Sequence, residues 1–201
     1  MASPVHKSTF YAFSIAFNAA LGSFFFGYSN SIWNGTQDII LKFGENDDNK
    51  EFYQGLGASL MPIGAILGAL LGGLMAGKLG RKRAFIYADI IAIIGSLVCG
   101  CIENPTPFFI GRFICGVSVG INSAVVPLFI NDVSPPIISG VMGSITSVMI
   151  NGGNLIPNLF AISLNKNQNQ EFWRVFIYLF PIITSILRTF LLLTVSNLKK
   201  K

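Results

Sequence analysis

Long apolar runs broken by short polar connectors organise this chain of 201 residues. A membrane span needs about 20 mostly apolar residues. Six stretches qualify: 9–32, 56–76, 84–102, 107–130, 140–164 and 173–195. Each is predicted to be helical, because hydrocarbon offers an unpaired backbone amide no partner. The expected fold is all-α, a polytopic transmembrane six-helix bundle. Residues 1–8 then form a cytoplasmic N-terminus, 9–195 the transmembrane domain and 196–201 a basic cytoplasmic tail.

Small and polar residues interrupt the apolar pattern at regular intervals. Gly64, Gly68 and Gly72 fall on one face of the second span, and Gly116 and Gly120 repeat that spacing in the fourth. Small residues let helix backbones approach closely in lipid, so simple packing is favoured here over a sliding interface. In the fifth span Ser147, Asn151, Asn154 and Asn158 are spaced four, three and four residues apart. That spacing puts them on one stripe, and Gly140 and Ser144 extend it. A stripe of this kind facing lipid is very unfavourable, so it must meet other helices or a wet cavity. Carboxamides both donate and accept, which suits a solute rich in hydroxyls. The competing reading is interhelical glue, worth about 0.6 kcal/mol per contact. Both readings stand at this point.

Composition agrees with a membrane protein: 52% of residues are hydrophobic and 11% charged, against about 25% charged in soluble domains. The net charge of +5 therefore bears first on topology. Lys78, Arg81, Lys82 and Arg83 lie between spans two and three, and the chain ends in three lysines. The first connector carries Asp38, Glu45, Asp47, Asp48 and Glu51. Basic connectors face the cytoplasm, so both termini are expected inside, in agreement with the even number of spans. The basic residues form short blocks, not a basic face with interleaved aromatics, so no nucleic-acid partner is expected. Asn34-Gly35-Thr36 is a weak glycosylation sequon, placed in the outer loop close to the membrane. No cleavable signal peptide is expected, because the first apolar run is too long.

Candidate chemistry is sparse. Cys99, Cys101 and Cys115 lie in apolar segments with His6 the sole histidine, and they read as packing residues. No Ser-His-Asp set, metal cluster or phosphate-cradling loop is legible. No enzyme, metal or cofactor is expected. Asp89, Arg112 and Arg188 are rare charges within spans. They are read as interfacial anchors, with Arg188 snorkelling and Asp89 pairing with the basic connector beside it.

Four stretches in order along the chain carry a family resemblance: "GSFFFGYSNSIWNG", "GKLGRKRA", "GRFICGVSVGINSAVVPLFINDVSPPIISGVMG" and "EFWRVFIYLFP". Together they resemble the sugar porters of the major facilitator superfamily, which include the facilitative hexose transporters. The resemblance implies one six-span half of that fold, the N-terminal one. It implies transport of a hexose-like sugar by alternating access, in the plasma membrane. Its substrate-facing positions on span five match Ser147, Ile150 and Asn154, and Asn151 joins them from the stripe. Its cytoplasmic charge network matches Arg81, Arg83, Arg112 and Asp132. Departures at Gly77, Phe129, Asp132 and Ser139 imply a weakened gate. Ser29 stands where proton-coupled relatives carry an Asp, which implies facilitated diffusion. A sugar site in this family lies between two halves. The chain is therefore expected to be a truncated product or fragment, with two alternatives. It assembles with a second six-span half or with itself, or it is a non-transporting membrane interaction protein.

Overall fold

The apolar runs do form helices in the computed structural model, which describes residues 4–41, 50–100, 105–133, 139–167 and 181–191. Five are α1 Pro4–Leu41, α2 Lys50–Lys78, α3 Arg81–Gly100, α4 Pro105–Val133 and α5 Ser139–Asn167. The sixth is α6, Pro181–Leu191. Among the described residues only Leu79 and Gly80 are not helical. Among the described residues three helices are long and apolar enough to cross a membrane by length and composition: α2, α3 and, over Thr106–Asp132, α4.

Helix α4 is the hub. Helices α2 and α3 each pack extensively on α4 and touch one another little, while α1 packs mainly on α5 and secondarily on α4. The glycine ridges explain the closest crossing. Gly68 lies against the backbone of Val117, and a Cβ there would come 2.8 Å from its carbonyl carbon. Gly72 similarly meets the Ile121 Cα, and Gly116 and Gly120 meet the α2 backbone at Met61 and Ala65. The two ridges interlock, so dispersion over a close backbone contact binds this pair. Gly95 and Gly111 let α3 approach α4 in the same way, and the Ser118 hydroxyl donates to the Ala88 carbonyl across that contact (2.7 Å).

Two cores flank α4. One gathers Phe85, Ala88, Ile121, Val125 and Val126; the other gathers Phe25, Trp33, Phe108, Phe109 and Cys115. Outward faces of α2 and α3 are apolar and exposed, as lipid-facing surfaces require. The α2–α3 turn closes through Gly80 with φ +84°, a left-handed conformation that favours glycine. The Leu79 amide donates to the Met75 carbonyl (2.9 Å) and the Ala84 amide to that of Gly80 (3.2 Å).

Three expectations need correction. Helix α1 does not stop near residue 32 but continues to Leu41, so the Asn34 sequon lies in a helix and not in a loop. Trp33 stacks on Phe108 of α4 (5.9 Å between centroids), which ties that extra stretch to the bundle, and the buried Thr36 hydroxyl is satisfied by the Ile32 carbonyl (2.7 Å). Asp89 does not pair with the basic connector; it faces α6. Arg188 does not snorkel; it is 2% exposed, because its counter-ion lies inside the bundle.

Candidate functional site

The polar stripe of α5 lies beside the α1–α5 crossing, which two glycines make possible. Gly27 on α1 lies against the backbone of Ile150 and Asn154, and Gly153 on α5 lies against the backbone of Phe24 and Tyr28. Neither position has room for a Cβ. This contact fixes the rotation of α5 and sorts its stripe into two kinds of residue.

Asn154 turns toward α1. Its Oδ1 accepts a hydrogen bond from the buried Ser31 hydroxyl at 2.9 Å. Ile150 is half-buried at the same crossing. Ser147 and Asn151 lie on the open side. Both are exposed and neither makes a hydrogen bond to the described residues. Asn158 is also exposed, but its amide donates to the Asn154 carbonyl (2.9 Å), and Ser144 likewise bonds back to the Gly140 carbonyl (3.1 Å). Val141, Val148, Leu155 and Leu159 form the adjoining exposed edge. Helix α5 thus shows solvent or a partner a polar edge beside α1, and an apolar edge beyond it. The polar edge offers free hydroxyl and carboxamide groups at Ser147 and Asn151 and a half-satisfied carboxamide at Asn154. Such groups can hydrogen-bond hydroxyls, and no cluster of His, Cys, Asp or Glu able to hold a metal ion lies among the described residues.

A separate, partly open pocket lies elsewhere. It is lined by Tyr28, Ser29, Met61, Ser96 and Arg112 among others, and its volume is about 30 Å³. That admits about two waters. A hexose-sized solute does not fit it.

The four residues grouped as a charge network separate. Arg81 on α3 and Asp132 at the end of α4 form an ion pair at 2.8 Å, with both side chains more than 40% exposed. A pair that open contributes at most about 1 kcal/mol. Arg83 is exposed and has no carboxylate partner among the described residues. Arg112 belongs to the opposite end of α4, 20 residues from Asp132, or about 30 Å. There its Nε donates to the Gly57 carbonyl (2.9 Å), and its guanidinium lies over the Trp33 ring at 4.9 Å. Arg112 therefore ties α4 to α1 and α2 and takes no part in the Arg81–Asp132 pair.

A buried polar cluster escaped the sequence reading. The Arg188 Nε lies 3.4 Å from the Asp89 Oδ2, and the Thr189 hydroxyl donates to the same oxygen at 3.0 Å. The Arg188 guanidinium covers the Phe85 ring at 4.7 Å, and the Asn18 amide donates to the Arg188 carbonyl (3.3 Å). Each charge was visible as a rare intramembrane residue. Their partnership was not, because nothing local in the sequence joins α3 to α6.

Comparisons with known proteins place this geometry. The family described as "Sugar (and other) transporter" matches residues 15–197. "Inositol transporter 4" of Arabidopsis thaliana is 28% identical over 163 residues, covering 81% of this chain and 28% of that protein. "Solute carrier family 2, facilitated glucose transporter member 5" of Mus musculus is 29% identical over 172 residues, covering 78% of this chain and 34% of that protein. Among solved structures, the major facilitator superfamily proton:xylose symporter XylE superposes with a TM-score of 0.83 at 23% identity. That match covers 93% of this chain and 45% of the symporter, and it shows the fold. The chain spans about a third of the length of the curated relatives it matches. Six helices on that fold, and a family match across nearly the whole chain, lead to one conclusion: this chain belongs to the sugar (and other) transporter family, as a multi-pass integral membrane protein.

Proposed function

We propose that this chain supplies one wall of a pathway for a hexose-like sugar, moved by alternating access between two six-span halves. The observation that carries it is the open polar edge of α5. Ser147 and Asn151 are exposed with side chains unbonded among the described residues, whereas Ser144 and Asn158 bond back to α5 carbonyls and Asn154 bonds to Ser31. Lipid gives such groups nothing, whereas a hydroxylated solute satisfies them. Ser147, Ile150, Asn151 and Asn154 form the contact set. The second wall comes from another six-span half, or from a second copy of this chain. Names of the relatives support a polyhydroxylated ring as the solute. The α1 position occupied by Ser29 carries no carboxylate, in keeping with facilitated diffusion.

The proposed placement is the plasma membrane with both termini cytoplasmic. Residues 1–8 and 196–201 then flank a transmembrane domain at 9–195. Arg81, Asp132 and Arg83 lie at its cytoplasmic surface, and the exposed Arg81–Asp132 pair acts there as a weak gate latch.

A second reading has one observation in its favour: the Ser31–Asn154 hydrogen bond is interhelical glue in the literal sense. Asn151→Leu and Asn154→Leu separate the two roles. Under the transport reading, Asn151→Leu leaves folding intact and abolishes binding of labelled sugar to the purified chain with its second half. Under the glue reading, Asn154→Leu lowers stability and Asn151→Leu changes nothing.

A further inference from the structure

The α2–α3 turn carries more positive charge than the described residues neutralise. Lys78, Arg81, Lys82 and Arg83 fall within six residues, brought together by the tight turn at Leu79–Gly80. Asp132 pairs with Arg81. Lys78, Lys82 and Arg83 have no carboxylate partner among the described residues, and α3 has no acidic residue in its first turn. Lys78 and Arg83 are exposed and Lys82 is half-buried.

Two of these cations stand at the ends of apolar stripes. Leu67, Leu71, Leu74 and Lys78 follow one another at spacings of four, three and four on the exposed side of α2. Arg83, Tyr87, Ile90 and Ile94 repeat that pattern on α3, running away from the turn in the same sense. Because α2 and α3 each pack on α4 and little on each other, both stripes stay exposed and lead away from the turn that joins the two helices. Two exposed apolar stripes ending in cations without a carboxylate partner among the described residues match an amphiphile with an anionic head. Soluble anions match only the head of this arrangement.

We propose that the exposed stripes of α2 and α3, with the basic turn between them, form a binding site for one anionic phospholipid. Lys78 and Arg83 hold the phosphate, Tyr87 sits at the depth where headgroup meets chain, and an acyl chain lies along the Leu67–Leu74 and Tyr87–Ile94 stripes. The bound lipid supplies the countercharge that Asp132 alone does not. The site involves neither the polar edge of α5 nor any residue proposed to touch sugar, so its test is independent of transport.

The experiment is native mass spectrometry of the full chain released from detergent, titrated with phosphatidylglycerol or with phosphatidylcholine. The wild-type chain retains one phosphatidylglycerol in preference to phosphatidylcholine. A basic residue near an anionic surface contributes about a fivefold factor in affinity, so Lys78→Gln or Arg83→Gln each weakens the preference about fivefold and the pair about thirtyfold. Lys50→Gln, at the far end of α2, leaves it unchanged. Should the double variant fail to insert, the single variants carry the test, since each keeps three cations in the turn. Three results would overturn the proposal: an equal loss in Lys50→Gln, which means bulk charge; a full preference in the single variants; or competition by soluble glycerol phosphate as effective as that by the lipid.

Discussion

Removal of one partner from the Asp89–Arg188 pair is the sharpest test of how the bundle is held together. Both side chains are at most 5% exposed, the Thr189 hydroxyl also donates to Asp89, and the Arg188 Nη2 has no hydrogen-bond partner among the described residues. Asp89→Leu would leave a guanidinium buried against Phe85 with no counter-ion. Breaking a buried pair by removing one member costs about 3–5 kcal/mol, mostly the penalty of the charge left behind. Removing both charges avoids that penalty, so Asp89→Leu with Arg188→Met should return to within about 1 kcal/mol of the wild type, or exceed it. Unfolding of the purified chain in mixed micelles with rising dodecyl sulfate, followed by circular dichroism, gives the three free energies of the double-mutant cycle. If Asp89→Leu costs less than about 1 kcal/mol, or if the double variant is as unstable as the sum of the singles, the buried-charge argument is wrong.

Other expectations follow from single contacts. Gly68→Leu must push α2 off the Val117 backbone and should destabilise by about 1–3 kcal/mol in the same titration, whereas Gly73→Leu, which meets nothing within 4 Å, should cost nothing measurable. Arg112→Met removes a charged hydrogen bond to the Gly57 carbonyl and the contact with Trp33; a loss of about 1.5–3 kcal/mol and a changed tryptophan emission spectrum are expected. Gly77→Asp with Ser139→Arg should strengthen the charge pairing beside Arg81 and shift the complete carrier toward one access state, read as slowed labelling of cysteines on the opposite face; an unchanged balance refutes the gate assignment. Because Asn34 lies in a helical turn with Thr36 buried, endoglycosidase treatment should leave the mobility of the chain unchanged.

Helices and their apolar faces were legible because period and length are local properties of the sequence. Their ends were less so. Asn34-Gly35-Thr36 reads as a loop, yet it continues α1, which Trp33 ties to α4 through Phe108. The four-three-four spacing placed Ser147, Asn151, Asn154 and Asn158 on one stripe. It could not reveal that Asn154 turns to Ser31 while Asn151 stays open, because the rotation of α5 is set by the Gly27 and Gly153 contacts with α1. Arg112 was noticed and then misgrouped, since sequence spacing does not say which end of a helix meets which neighbour. Asp89 and Thr189 are 100 residues apart, and only the packing of α6 against α3 joins them.

The most direct measurement is solvent access and sugar protection on the polar edge of α5. Single cysteines placed at Ser147 and Asn151, in a background with Cys99, Cys101 and Cys115 replaced, are reacted in vesicles with a membrane-impermeant thiol reagent. The account predicts ready labelling at both positions, slowed by added hexose when the second half is present. Labelling only by lipid-soluble reagents, or labelling that sugar leaves untouched, would contradict it.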